Sequence, residues 1–221
     1  MEPTFEPYKP SLSYGAMEMV ARARAFRDSV RTRRTVREYA SDDVPMDAVM
    51  ACIEAAASAP SGANKQPWHF VVVTDAAVKS RIREAAEREE RAFYEERAPE
   101  EWLRALRSLG TDHHKPFLES APVLIAVFAR VFERSADGRK HKNYYVRESV
   151  GIATGILLTA LHLSGFSTLT HTPSPMGFLN TLLERPREEQ AFLLLVLGRP
   201  APDARVPIIT KKSSSEYITH V

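Results

Sequence analysis

Cysteine is all but missing from this chain of 221 residues: Cys52 stands alone, so no intrachain disulfide can form. It lies in an apolar helical run, where a thiol reads as a small buried hydrophobe and a catalytic role is the alternative. An excess of one charge is missing too. The 30 basic residues against 28 acidic leave a formal charge of +2, with the two signs interleaved. That argues against a nucleic-acid partner, which needs a lopsided basic face. No apolar run approaches the roughly 20 residues that span a bilayer. The opening Met1-Glu2-Pro3-Thr4 has neither the basic nor the apolar stretch of a secretion signal. A soluble, cytoplasmic protein with no membrane partner is the expectation. Internal repeats, low-complexity tracts, an interrupting linker and a Gly-x-Gly-x-x-Gly fingerprint are absent as well. With 44% hydrophobic and 26% charged residues the composition is that of an ordinary globular protein, and one domain over residues 1–221 is expected.

What is present falls into alternating helical and strand patterns. Residues 1–15, with Phe5, Tyr8, Pro10 and Tyr14, read as an aperiodic arm, and residues 200–221 as a second, Pro-rich one. Met17 to about Arg31 has helical spacing, with Met19, Val20, Ala23 and Phe26 on one face. Asp42-Asp43 before Val44-Pro45 predicts an acidic cap and a proline in the first turn of a helix that runs through Ala57 and stops at Pro60. Phe70–Val73 and Pro122–Phe128 predict strands buried on both faces. Phe166–Thr170 and Phe192–Leu197 predict two more. Between the first pair, residues 76–118 form a highly charged helical region with a break at Ala98-Pro99. Tyr144–Ser164 predicts a long helix, apolar nearly all round after Ser149, buried in a core or against a second subunit. The fold class is α+β, a small central mixed sheet with helices around it and extended terminal arms.

Four separated segments carry chemistry. Arg33, Arg34 and Arg37 lie within five residues, and in extended backbone Arg33, Thr35 and Arg37 share one side. A phosphate monoester needs several such cations, and Lys211 or Lys212 offers another; a solvated basic patch gives the same pattern. Pro60-Ser61-Gly62-Ala63 permits close backbone approach to a ligand, although most Ser-Gly pairs are turns. Glu90 and Tyr94 are four apart on a predicted helix, hence on one face, and Lys115 follows in a separate segment. A charged solvated face accounts for Glu90 equally well. His113 and His114 are adjacent, so their side chains are expected to point apart, and no metal is expected there.

The order of these segments resembles the nitroreductase superfamily of FMN-dependent homodimers over roughly residues 30 to 212. The likeness is carried by Arg33-Arg34-Thr35-Val36-Arg37, by Ala59 through Trp68, and by Val196-Leu197-Gly198-Arg199-Pro200. Within it, Ser61-Gly62-Ala63, Thr170-His171-Thr172-Pro173 and the triad Glu90, Tyr94 and Lys115 resemble the iodotyrosine deiodinase subfamily. The resemblance implies that Arg33, Arg34, Thr35 and Arg37 contact FMN from phosphate to pyrimidine ring. It implies that Pro60, Ser61 and Gly62 lie along the flavin, with Thr170, His171 and Thr172 at its reactive edge and Lys211 as a further cation. Glu90 would accept the ammonium of a halogenated tyrosine, Lys115 and Tyr94 would hold its carboxylate, and the N–H of Ala63 would face its phenolate. Thr172 would hydrogen-bond the flavin N5. Two departures stand out: Lys211 where the family often has Arg, and His171 where animal members commonly have a third Thr.

The implied activity is reductive dehalogenation of halotyrosine by successive one-electron steps, in a homodimer whose sites lie between subunits, fed by a separate electron donor or NAD(P)H. A general NAD(P)H-dependent nitroaromatic or quinone reductase, with the triad coincidental, is the alternative; a non-catalytic flavin-binding sensor is a third reading.

Overall fold

The computed structural model describes residues 3–221, so Met1 and Glu2 of the expected arm lie outside the described residues. Two compact units separate at Arg33 and Arg34. The first holds an extended segment and helix α1 (Ala16–Arg31). The expected apolar face of α1 is solvent-exposed: Met19, Val20 and Phe26 are each about half exposed or more. Local contacts hold this unit, with the Arg22 guanidinium 4.0 Å over the Tyr14 ring and 2.8 Å from Glu18.

The second unit, Arg34–Val221, contains the sheet. Its elements are α2 (Met46–Ala57), β1 (Trp68–Val73), α3 (Ala76–Ala92), a π-helical turn Phe93–Arg97, α4 (Glu100–Arg107), α5 (Phe117–Ser120), β2 (Val123–Arg130), β3 (Phe132–Arg134), β4 (Lys140–Lys142), α6 (Val146–Leu163), β5 (Ser167–His171), α7 (Gly177–Leu182) and β6 (Glu189–Gly198). The four-stranded sheet runs β1-β2-β6-β5, antiparallel at every pairing. Its parallel component is a single bridge, Thr35 to Thr168, where the Val36 N–H donates to the Thr168 carbonyl at 3.2 Å. β3 and β4 form a separate hairpin.

Period-two alternation sorts the central strands. Ile125, Val127, Leu193, Leu195 and Leu197 face α2 and α6, while Leu124, Ala126, Phe128, Leu194 and Val196 face α3, α5 and α7. This is why β2 and β6 read as unbroken apolar runs. β1 corrects the expectation of burial on both faces: it is an edge strand, and only Val73 is buried. α2 begins one residue later than its signals imply. Pro45 is its N-cap and no side chain caps it, so Asp42 and Asp43 do not serve as expected. α3, by contrast, is capped by Asp75, which accepts from the Val78 N–H at 2.8 Å. α6 has the length and apolarity of a membrane span, 18 residues of mean hydropathy 1.2. Yet its Val150, Leu157 and Leu161 lie in the core against α2 and the sheet.

Candidate active site

The Thr35–Thr168 bridge lays the arginine segment along the free edge of β5, and that edge floors a cavity of about 220 Å³. Its walls include Arg37, Glu90, Tyr94, Lys115, His171 and Thr172, and Thr170 joins them. These residues come from four places in the sequence: Arg37, the pair Glu90 and Tyr94, Lys115, and Thr170 to Thr172.

The Glu90–Tyr94–Lys115 wall is built by the last turn of α3, the π-helical turn that follows it and the loop before α5. Lys115 is 3% exposed although it carries a charge. Its ammonium lies 3.2 Å from Glu90 Oε2 and donates to Thr111 Oγ1 at 3.3 Å and to the Asp112 carbonyl. Its backbone N–H donates to Glu87 Oε1 at 2.7 Å. Carboxylates one helical turn apart on α3 therefore hold the same residue, one by its main chain and one by its side chain. The Tyr94 hydroxyl donates to the Thr111 carbonyl at 3.2 Å, and its ring lies 5.6 Å from the Lys115 ammonium. Burial raises the Tyr94 pKa, and Glu90 and Asp112 push the same way. The hydroxyl thus stays protonated and able to donate. Apolar closure comes from Phe93, edge-on to both Tyr94 and Trp102 at 5.7 and 5.0 Å, with Leu106 and Leu109 alongside. These apolar residues were not singled out in the sequence, although the spacing Trp102, Leu106, Leu109 is helical.

On the opposite wall exposure alternates along the end of β5 and the residue that follows it. Thr170 and Thr172 are exposed, whereas His171 is 6% exposed and packs edge-on to Phe117 at 5.9 Å. Burial drives the His171 pKa down to about 3, and the nearby Lys115 and Arg37 charges add to the effect. A neutral imidazole results. A histidine lowered in the folded state binds its proton more readily when unfolded, so stability is complete above pH 6.5 and falls on acidification toward pH 3. The loss should be roughly 1 kcal/mol per pH unit over that window. His171→Asn should flatten the acid limb between pH 6 and 4 in denaturant titrations; an unchanged limb would mean that other groups set it.

Among the described residues, the buried side-chain polar atoms without a hydrogen-bond partner are Arg37 Nε, Thr168 Oγ1, His171 Nε2 and Asn143 Oδ1. Three of these four belong to the arginine segment and β5. Buried polar atoms ordinarily have partners, so this edge is chemically suited to a ligand rich in acceptors and donors, with a cation beside it. An isoalloxazine with its phosphate chain fits that description.

Other predicted residues lie elsewhere. Arg34 donates to the Pro207 carbonyl and tethers the C-terminal segment; Lys211, further along it, is exposed. Arg33 lies in the first unit. Pro60–Ala63 does not line the cavity but sits against the start of α6. A Cβ on Gly62 would come within 2.9 Å of both the Tyr144 carbonyl oxygen and the Tyr145 ring, so only glycine fits. Ala63, Asn64 and Gln66 all have φ near +50°, a strained setting for non-glycine residues. His113 and His114 do not point apart as expected; their rings lie 4.1 Å apart.

The sequence profile of the nitroreductase family matches residues 30–199. An iodotyrosine deiodinase of Haliscomenobacter hydrossis is 47% identical over 97% of this chain and 96% of its own length. Iodotyrosine deiodinase 1 of Homo sapiens is 40% identical over 94% of this chain and 72% of its own. Among solved structures, oxidized iodotyrosine deiodinase bound to FMN and 3-iodo-L-tyrosine superimposes with a TM-score of 0.75. It is 32% identical and covers 88% of this chain and 100% of that one. A BluB-like flavoprotein from Clostridium difficile 630 shares the fold at a TM-score of 0.68 and 22% identity.

Proposed function

The chain belongs to the nitroreductase family, and from that premise we propose that it is an FMN-dependent oxidoreductase that converts 3-iodotyrosine to tyrosine and iodide. The observation that carries this reading is the buried Glu90–Lys115 pair on the wall of the cavity. General reduction of nitroaromatics or quinones needs no such pair. An amino-acid substrate does, because its ammonium and carboxylate can take the place of Lys115 and Glu90 as each other's partners.

In this reading Arg34, Arg37, Thr170, Thr172 and Lys211 would hold FMN together with the Pro60–Gly62 loop, and the bound cofactor would supply electrons to the carbon–halogen bond. The protein's own residues do the rest. Glu90 accepts the substrate ammonium, Lys115 and the protonated Tyr94 donate to the carboxylate, and the Ala63 N–H stabilises the phenolate oxygen. Phe93, Trp102, Leu106 and Leu109 exclude water. The neutral His171 adds no positive charge beside Arg37 and Lys115. The Thr172 hydroxyl serves as a hydrogen-bond donor at the flavin edge.

The Pro60–Ala63 loop and the cavity stand apart within one chain. A second copy that brings its loop to this cavity completes the site, so the functional unit is a homodimer. Exposed Ile152 and Leu163 on the otherwise apolar α6 suit burial against a partner.

The test is anaerobic incubation of the FMN-loaded protein with dithionite and 3-iodo-L-tyrosine. Tyrosine and iodide in equal amounts are expected. Absence of turnover by protein that retains FMN would sink the proposal and favour a general nitroreductase.

A further inference from the structure

The electrons that reaction consumes must come from outside, and the sequence has no dinucleotide fingerprint. One surface of the fold bears on their source. In the β3–β4 hairpin, Phe132 is opposite Lys142 and Arg134 opposite Lys140, so these four side chains share a face, while Glu133 and His141 share the other. Phe132 is buried at the base of that face. The Lys140 ammonium lies 3.8 Å over its ring and the Arg134 guanidinium 5.5 Å from it. The nearby carboxylates are already engaged: Glu133 with Lys65, Asp137 with Arg139 and Glu188 with Arg134. Lys140 and Lys142 pair with no carboxylate among the described residues, nor does Arg147 at the start of α6. All three are exposed.

The hairpin that carries this face lies beside the Ser61–Ala63 loop. Lys65, two residues beyond Ala63, lies 3.5 Å from Glu133. Lys65, Lys140, Lys142 and Tyr144 line one open depression, and the Tyr144 carbonyl is the atom that a Cβ on Gly62 would strike.

We infer that this hairpin face is the docking surface of an acidic one-electron carrier protein, a small redox protein with a flavin or iron–sulfur group. The inference rests on the oxidoreductase reading for its purpose. Two reduced carriers are oxidised in turn, one carbon–iodine bond breaks, one carbon–hydrogen bond forms with a solvent proton, and iodide leaves. Lys140, held over the Phe132 ring, presents positive charge on the hairpin beside the loop, with Lys142 on the same face, and complementary charge raises the rate of encounter.

The test is anaerobic stopped-flow bleaching of the protein-bound FMN by a reduced, acidic plant-type [2Fe–2S] ferredoxin. The second-order rate constant is expected to fall about tenfold between low ionic strength and roughly 0.2 M salt. Lys140→Glu with Lys142→Glu should lower it by a further factor of about ten, and the corresponding Gln pair by less. Bleaching by dithionite should stay within about twofold throughout, because a small reductant has no need of the docking face. Carrier rates that ignore both salt and the substitutions overturn the assignment, as does direct bleaching by NADPH that outpaces the carrier. Carrier-driven bleaching that follows these expectations, in a protein that leaves iodotyrosine intact, would sink the deiodinase reading and leave the docking surface standing.

Discussion

Glu90→Gln should cut kcat/KM for 3-iodotyrosine by about 100-fold, on the scale of removing one member of a buried charged pair. Reduction of a simple nitroaromatic should stay within about threefold, since it touches neither member of the pair. The reasoning begins with the substrate-free protein. Lys115 and Glu90 are 4% and 14% exposed at their side chains and partner each other at 3.2 Å. A zwitterion replaces that ion pair with two new ones, so no charge is left buried alone. A ligand with only a carboxylate takes Lys115 and strands Glu90. Selectivity for an amino acid is thus written into the ligand-free protein as a penalty on anything less. Glu90→Gln removes the penalty, so 3-(3-iodo-4-hydroxyphenyl)propanoate should gain on iodotyrosine and overtake it. Lys115→Gln should lose both ligands. Full rates on iodotyrosine in both variants would show that these residues do not grip the substrate.

The second large effect concerns stability. Glu189, whose side chain is fully buried, accepts from Arg185 at 2.8 Å and from Arg130 at 2.9 Å, with His69 Nδ1 3.8 Å away. Burial favours the neutral carboxyl, but the hydrogen bonds from Arg185 and Arg130 outweigh it and hold its pKa below the usual carboxylate value. The arginines are themselves 22% and 41% exposed, so the cost is asymmetric. Glu189→Gln releases two cations that reach water and should cost about 1–3 kcal/mol. Arg130→Met with Arg185→Met leaves the carboxylate buried and unpaired, and should cost about 3–5 kcal/mol. For a chain of this size that lowers Tm by roughly 10 °C. The sign with pH follows. A carboxyl lowered in the folded state stabilises above its unfolded pKa and loses that contribution as pH falls through the folded value. The double variant should therefore be less stable than the parent at pH 7, with the gap closing on acidification. A gap independent of pH would assign the loss to packing instead.

These two clusters mark what could be read in advance. Glu90, Tyr94 and Lys115 were legible through spacing combined with family likeness, because they lie on one continuous helical stretch, α3 and the π-helical turn after it, and one short loop. Glu189 was not. It assembles with Arg130 from β2, His69 from β1 and Arg185 from the turn before β6, and nothing in Arg187-Glu188-Glu189-Gln190 separates it from a surface charge. Strand existence was legible wherever alternation placed apolar side chains on both faces, as in β2 and β6. β1 carried a similar run yet lies at the edge, because a continuous apolar stretch does not say how many neighbours will cover it. The acidic pair at Asp42-Asp43 misled for a local reason: Pro45 took the cap position itself. The β3–β4 hairpin was missed because three-residue strands rich in Lys and Arg have no apolar period to detect.

The alternation along β5 has a further consequence for how this chain can change. Leu195 faces Thr170 across the β5–β6 ladder and Leu194 faces His171. A side chain there may be exchanged for another while its neighbours keep their places. Deleting or inserting one residue between Gly165 and Leu169 is different: it would turn His171 toward the exposed side and carry a threonine into the buried one. Lineages descended from this chain should therefore hold the length of the segment before Thr170-His171-Thr172 more strictly than its composition, because a change of length moves all three side chains at once.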